Sequence, residues 1–248
     1  MSLLRTEELR VTVDNEAVLC DISFEIEEKG VYAILGKSEL ERTTLARVLA
    51  GIIDADEGLI FYKGVLFNKT SGKSIKSKIG YLPKQSFLYP DLTVYETLDF
   101  TGRMRKVLPD KRIRQIKEAL ELVYLSGKSE VLVKAPSVSE KKRLLLANAL
   151  IGNPSTIILD EPTANLPPDD VALFKETIEM LGKKKTVLIF TDKLNLANEL
   201  ADYVGIISKG EISFWSSLDS VRERLEGDSN ALLKIYAAFT DDGKGGKG

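Results

Sequence analysis

Histidine does not occur anywhere in this chain of 248 residues. A site built on imidazole, as a general base or as a metal ligand, is therefore excluded. Cysteine occurs once, as Cys20, so the chain cannot form an internal disulfide. A single thiol is typical of proteins from a reducing cytosol.

Long apolar runs and a strong charge bias are missing too. No run approaches the roughly 18 residues that cross a membrane, and the N-terminus lacks the pattern of a signal peptide. The net charge of −2 and the isoelectric point near 5.6 predict no bulk binding of nucleic acid. With 44% hydrophobic and 29% charged residues, the composition is that of a soluble globule with one large α/β domain or two small ones.

The stretch from 156 to 163 has the pattern of a functional strand end. Three apolar residues follow Thr156, and then come Asp160, Glu161 and Pro162. A short apolar run without alternation predicts a strand buried on both faces of a parallel sheet, and the proline ends it. At the carboxyl end of such a strand an aspartate can bind Mg²⁺ and a glutamate can polarise water. The pattern fits equally well a core strand that ends in two acids at a turn.

A second candidate site begins at Gly36, after another predicted strand. The spacing matches the phosphate-loop motif Gly-x4-Gly-Lys-Ser/Thr, with Thr43 at the hydroxyl position and a helix predicted from Thr44. However, Glu41 stands at the second glycine and Arg42 at the lysine. Because glycine lets the backbone approach phosphate and an added carboxylate repels it, we expect weak or absent binding of Mg·ATP.

The order of these segments resembles the ATP-binding subunit of ABC transporters, over about residues 3–225. Residues 143–154 form a predicted helix ended by glycine and proline, and the acidic strand follows it, as in that family. The resemblance implies an α/β fold with a P-loop NTPase-type, mostly parallel sheet and an N-terminal antiparallel β part. It also implies a helical subdomain inserted at about 86–142 and a domain that ends near 225. Residues 226–248 are expected to form a C-terminal helix and a mobile tail, because 241–248 are rich in glycine and lysine.

The resemblance assigns roles to individual residues. Thr43 and Asp160 would hold Mg²⁺, and Glu161 would be the catalytic carboxylate. The positions that would contact ATP are Gly36, Arg42, Thr43, Thr44, Lys84 and Ser137.

Many family positions carry other residues here. Lys84 replaces a glutamine, Asp192 replaces the histidine that contacts the γ-phosphate, and residues 136–140 read Pro-Ser-Val-Ser-Glu instead of Leu-Ser-Gly-Gly-Gln. The other replaced positions are Val13 (the adenine-stacking aromatic), Glu39, Glu41, Arg42 and Pro167. Each change removes phosphate positioning or transition-state stabilisation, so we expect impaired hydrolysis with Glu161 as the surviving catalytic group.

Three functions fit these patterns. The first is a degenerate ATP-binding-type subunit of an ABC exporter, cytoplasmic and peripheral on the inner face of the cell membrane. It would bind a transmembrane transporter subunit and form a heterodimer with a competent ATP-binding subunit. The second is an active ATPase that uses Lys37, Arg42 or Lys84 as substitute phosphate ligands. The third is a cytosolic interaction module that kept the fold without a transporter.

Two local patterns add expectations for the fold. Residues 3–13 and 19–26 predict an N-terminal hairpin with a turn at 14–15. An apolar stripe at helical spacing predicts a helix packed by one face in the helical subdomain. Its members are Ile113, Ile116, Ala119, Leu120 and Val123.

Overall fold

A computed structural model describes residues 2–85, 87–224, 228 and 230–240. Its strands are β1 Leu4–Val13, β2 Glu16–Ile26, β3 Gly30–Leu35, β4 Glu57–Tyr62, β5 Val65–Leu66, β6 Ile79–Leu82, β7 Thr156–Asp160, β8 Thr186–Thr191, β9 Tyr203–Ser208 and β10 Glu211–Ser217. Its helices are α1 Glu39–Leu49, α2 Gly72–Lys76, α3 Val94–Met104, α4 Pro109–Leu122, α5 Val138–Leu150, α6 Pro168–Gly182, α7 Leu194–Leu200, α8 Leu218–Arg224 and α9 Ala231–Thr240.

The strands form one sheet in the order β5-β4-β1-β2-β10-β9-β3-β8-β7-β6. The strands from β9 to β6 in this order are parallel, and β1, β2 and β4 pair antiparallel. Apolar runs without alternation, such as β7, are buried along their whole length, which suits strands covered by helices on both faces. The predicted α/β fold, with its parallel core and antiparallel N-terminal part, is confirmed.

The predicted N-terminal hairpin is present. Its turn residues Asp14 and Asn15 have φ of 51° and 66°, the left-handed conformations that a tight two-residue turn requires. The second strand begins at Glu16, three residues before the predicted start.

Helices α3, α4 and α5 pack around a shared apolar core beside β6 and β7. The stripe on α4 is buried at Ile116, Ala119 and Leu120, with Val123 just after the helix. Ile113 was predicted to belong to it and does not, because it is 56% exposed. Only the C-terminal half of α4 packs on the core, so the residues around Ile113 face solvent.

The division of the chain into units stays a proposal. The suggested boundary near residue 142 falls inside the continuous helix α5, and the C-terminal helix expected after residue 225 corresponds to α9. The tail expected to be mobile, 241–248, lies outside the described residues. In the part of the chain that the structure covers, every helix is too short or too polar to cross a membrane.

Candidate functional site

The carboxyl ends of β3, β7 and β8 meet at one edge of the sheet, since these strands are parallel neighbours. They bring together Gly36, which follows β3, Glu161, which follows β7, and Asp192, which follows β8. A Cβ at Gly36 would lie 2.6 Å from Ile207 Cγ2 and 2.8 Å from the Ile207 carbonyl oxygen, so only glycine fits there. The chain therefore leaves β3 pressed against the neighbouring strand β9.

Arg42 and Glu161 form a buried ion pair at this edge. Arg42 Nη2 donates to Glu161 Oε1 at 2.6 Å, and the two side chains are 2% and 5% exposed. Arg42 Nη1 donates to the carbonyl of Gly36. The second carboxylate oxygen of Glu161 accepts a hydrogen bond from the Thr191 hydroxyl at 3.0 Å. Both oxygens of the expected catalytic group are thus engaged by side chains of the chain itself.

A second carboxylate lies near the same guanidinium. Asp192 Oδ2 is 3.8 Å from Arg42 Nη2, and its side chain is 60% exposed. The charge of Arg42 is therefore balanced by Glu161 inside and by Asp192 towards solvent.

Arg42 Nε has no hydrogen-bond partner within the described residues, although it is buried. Glu161 also has φ of 47°, a left-handed conformation that costs a non-glycine residue about 1–2 kcal/mol.

Helix α1 begins at Glu39, five residues before the predicted start at Thr44, so that prediction was wrong. Ser38 caps the helix: its hydroxyl accepts the N–H of Glu41 at 3.2 Å and its carbonyl accepts the N–H of Arg42 at 3.3 Å. Glu39 and Glu41 have a higher helix propensity than the glycines they replace, and their negative charges are favourable at the N-terminal end of the helix dipole. The expected phosphate loop is thus partly helical, and Ser38 accepts hydrogen bonds from the backbone N–H groups of Glu41 and Arg42.

The two additional carboxylates of this segment contact groups outside the expected loop. Glu41 Oε1 accepts the N–H of Gly210 at 2.8 Å, and burial raises the pKa of Glu41. Glu39 Oε1 lies 2.5 Å from Lys84 Nζ, and this contact lowers the pKa of Glu39. Lys84, which the sequence offered as a substitute phosphate ligand, therefore binds a carboxylate of the chain.

Lys142 was missed by the sequence analysis. It is 7% exposed, its Nζ donates to the carbonyl of Lys84 at 3.0 Å, and burial lowers its pKa. This lysine ties α5 to the segment after β6. The available signal was spacing, because Ser139, Lys142 and Leu146 occur at helical intervals and are all buried.

Lys37, another suggested substitute ligand, points towards the end of α9. Its Nζ donates to the carbonyl of Thr240 at 3.0 Å. The sequence offered Lys37, Arg42 and Lys84 for phosphate, and each of them contacts a group of the protein.

The oxygen ligands expected for Mg²⁺ lie together. The Thr43 hydroxyl is 3.2 Å from Asp160 Oδ1, and the Tyr81 hydroxyl is 3.4 Å from Asp160 Oδ2. Burial raises the pKa of Asp160 and also raises the pKa of Tyr81 to about 12. Thr44, next along α1, is buried. A hydroxyl beside a carboxylate fits a hard cation such as Mg²⁺. On the phosphate side, Arg42 contacts Gly36 and Glu161, and the N–H groups of Glu41 and Arg42 are bonded to Ser38.

Ser137 caps α5 and has no hydrogen bond to the residues around Arg42. Its hydroxyl accepts the N–H of Glu140 at 3.2 Å, and Glu140 Oε2 accepts the N–H of Ser137 at 2.9 Å, a capping box. Lys128 pairs with the same glutamate. Val138, the first residue of the helix, is 71% exposed. The N-terminus of α5 is thus well formed and presents an apolar side chain to solvent.

The chain is similar to known proteins along most of its length. The model of the ABC transporter family matches residues 19–164, more than half of the chain. The linearmycin resistance ATP-binding protein LnrL of Bacillus subtilis is 28% identical over 94% of this chain and 75% of its own length. The molybdate/tungstate import ATP-binding protein WtpC of Pyrococcus abyssi is 33% identical over 79% of this chain and 57% of its own length. A solved ATP-binding subunit of an ABC transporter superposes with a TM-score of 0.84 at 21% identity, covering 97% of this chain and all of that one.

Proposed function

The chain belongs to the ABC transporter family as an ATP-binding subunit, and we propose that its own nucleotide site is closed to Mg·ATP by side chains of the chain itself. The observation that carries this proposal is the ion pair between Arg42 and Glu161, in which both side chains are almost fully buried. A triphosphate that takes Arg42 must first separate it from Glu161. Breaking a buried ion pair costs about 3–5 kcal/mol, so affinity should fall at least about a hundredfold.

The same contacts bear on hydrolysis. A catalytic carboxylate must accept a hydrogen bond from the attacking water. Glu161 instead accepts from Arg42 and Thr191, and Asp192 stands where the family has a histidine. An ionised aspartate has no proton to donate and repels phosphate. We therefore propose that the isolated chain hydrolyses ATP at a negligible rate.

A partner subunit would supply the competent parts. ATP-binding subunits of this family work with transmembrane subunits, and the proposal adds a heterodimer with a second, competent ATP-binding subunit. The α5 N-terminus with Ser137 would face the partner's phosphate loop. This surface is less altered than the segment around Arg42, because its cap is intact. The complex would lie on the inner face of the cell membrane.

We propose export as the direction of transport. The relative named for linearmycin resistance matches 94% of the chain, whereas the relative named for import matches 79%. The import relative is the more identical of the two, at 33% against 28%, so the support for export is the likeness to a resistance protein over almost the whole chain.

Calorimetric titration of the purified protein with Mg·ATP, alongside a phosphate-release assay, tests the proposal. We expect no micromolar affinity and no turnover above a protein-free blank. One observation favours the alternative of an active ATPase, namely the adjacent Thr43 hydroxyl and Asp160 carboxylate. Robust turnover that disappears in Glu161→Gln would establish that alternative and refute the closed site.

A further inference from the structure

A cavity of about 850 Å³ lies at the opposite end of α1 from Arg42. Strands β4 and β5, helix α2 and the end of α1 surround it. Its floor is apolar, with the buried side chains of Leu9, Val48 and Ile60. Its volume lies within the range of about 300–1,000 Å³ that is usual for small-molecule sites.

One wall of the cavity is built around the ring of Phe67. A Cβ at Gly51 would lie 2.4 Å from Phe67 Cζ, and one at Gly72 would lie 3.3 Å from Phe67 Cε2. The ring is therefore held between two stretches of bare backbone. Its edge packs against Tyr62, with ring centroids 5.8 Å apart. This wall is fixed by close packing and offers an aromatic surface to the cavity.

The rim carries a cluster of cations. Lys69, Lys73 and Lys76 line the cavity, and no ion pair joins any of them to a carboxylate of the described residues. Lys73 and Lys76 are three residues apart on α2, so they share one face of the helix. Asp54 is the carboxylate that lines the same space. Three cations and one anion leave the rim with an excess of positive charge.

We propose that this cavity binds a small amphipathic organic anion, with its apolar part on the floor beside Phe67 and its anionic head between the rim lysines. A purely hydrophilic anion would leave the buried apolar floor in contact with water. A neutral apolar ligand would leave the lysines without a counter-charge. The proposal is independent of the closed nucleotide site, because none of its residues contacts Arg42 or Glu161.

Laurate, used below its micelle concentration, is a suitable probe in calorimetry. Dodecyltrimethylammonium is the matched control, since it has the same chain length and a cationic head. We expect saturable binding of laurate to the full chain and at least tenfold weaker binding of the cation. In Lys69→Glu/Lys73→Glu, laurate should bind about tenfold more weakly, because two attractive charge contacts become repulsive.

Two further variants separate the cavity from general surface charge. Lys106→Glu/Lys184→Glu changes the net charge equally at exposed sites away from the cavity, and it should bind laurate like the wild type. Ala55→Trp fills the cavity without a charge change and should also weaken binding at least tenfold.

The proposal is overturned if the two double variants weaken laurate binding equally, or if the cation binds as well as laurate. It is also overturned if the wild type binds phosphatidylglycerol vesicles and shows no saturable binding of free laurate, since the lysines would then serve a membrane surface. Should Ala55→Trp fail to fold, the two lysine variants still decide the outcome.

Discussion

Replacing Arg42 or Glu161 alone should destabilise the protein far more than replacing both. The 2.6 Å contact places the two charge centres about 4 Å apart, where the attraction is about 4 kcal/mol at an effective dielectric of 20. Arg42→Met leaves a buried carboxylate without its cation, and Glu161→Leu leaves a buried cation without its main acceptor. Each single variant should lose about 3–5 kcal/mol of unfolding free energy. The double variant leaves no unpaired buried charge and should lose less than either.

The wild type, the two single variants and the double variant form a double-mutant cycle, which urea denaturation at 25 °C and pH 7 measures. In thermal denaturation, the melting temperature of each single variant should fall by about 10 °C. The pair Arg10 and Glu57 is a matched control, since the contact is 3.2 Å and both side chains are more than half exposed. Its cycle should give a coupling below about 1 kcal/mol. Additive losses for Arg42 and Glu161, or single losses below about 1 kcal/mol each, would refute a coupled buried pair.

Two further predictions concern the N-terminus of α5. The ion pair with Lys128 and the capping box lower the pKa of Glu140, so its contribution to stability is present above the unfolded value near 4.5 and is lost as pH falls through the folded value. Glu140→Gln should therefore lose about 0.5 kcal/mol at pH 7 and progressively less as the pH falls below 4.5, measured by urea denaturation; a loss that does not change with pH would contradict the assignment. Val138→Gly/Ser139→Gly should strengthen an ATP-dependent heterodimer with a partner blocked in hydrolysis, seen by light scattering. ATP-dependent homodimers of the wild type would refute the proposed pairing.

The sequence predicted correctly those segments whose structure depends on a short run of neighbouring residues. The apolar run before Asp160 gave the buried strand β7, and the turn residues 14–15 gave the hairpin. The start of α1 was predicted wrongly because the motif spacing implied a loop. The residues that replace its glycines favour helix, and Ser38 supplies a cap.

The central contact could not be read from local pattern. Arg42 and Glu161 are 119 residues apart in the chain, and only the adjacency of β3, β8 and β7 brings their segments together. The resemblance placed both residues at one site, yet it assigned Arg42 to phosphate and Glu161 to water. Their mutual pairing depends on side-chain reach and burial, which no spacing encodes. The same holds for Lys84, whose partner Glu39 lies on another element.

The most direct test of the closed site is a calorimetric titration of Mg·ATP into Glu39→Gly/Glu41→Gly/Arg42→Lys, beside the wild type. The glycines should release the first turn of α1. Lysine has no guanidinium, so the two-sided contact of Arg42 with the Gly36 carbonyl and the Glu161 carboxylate should be lost. Glu118→Gln/Glu223→Gln is the control, since it makes the same change of net charge at exposed positions. We predict at least about hundredfold tighter binding for the triple variant than for the wild type and the control. Micromolar binding by the wild type, or no gain in the triple variant, would contradict the account.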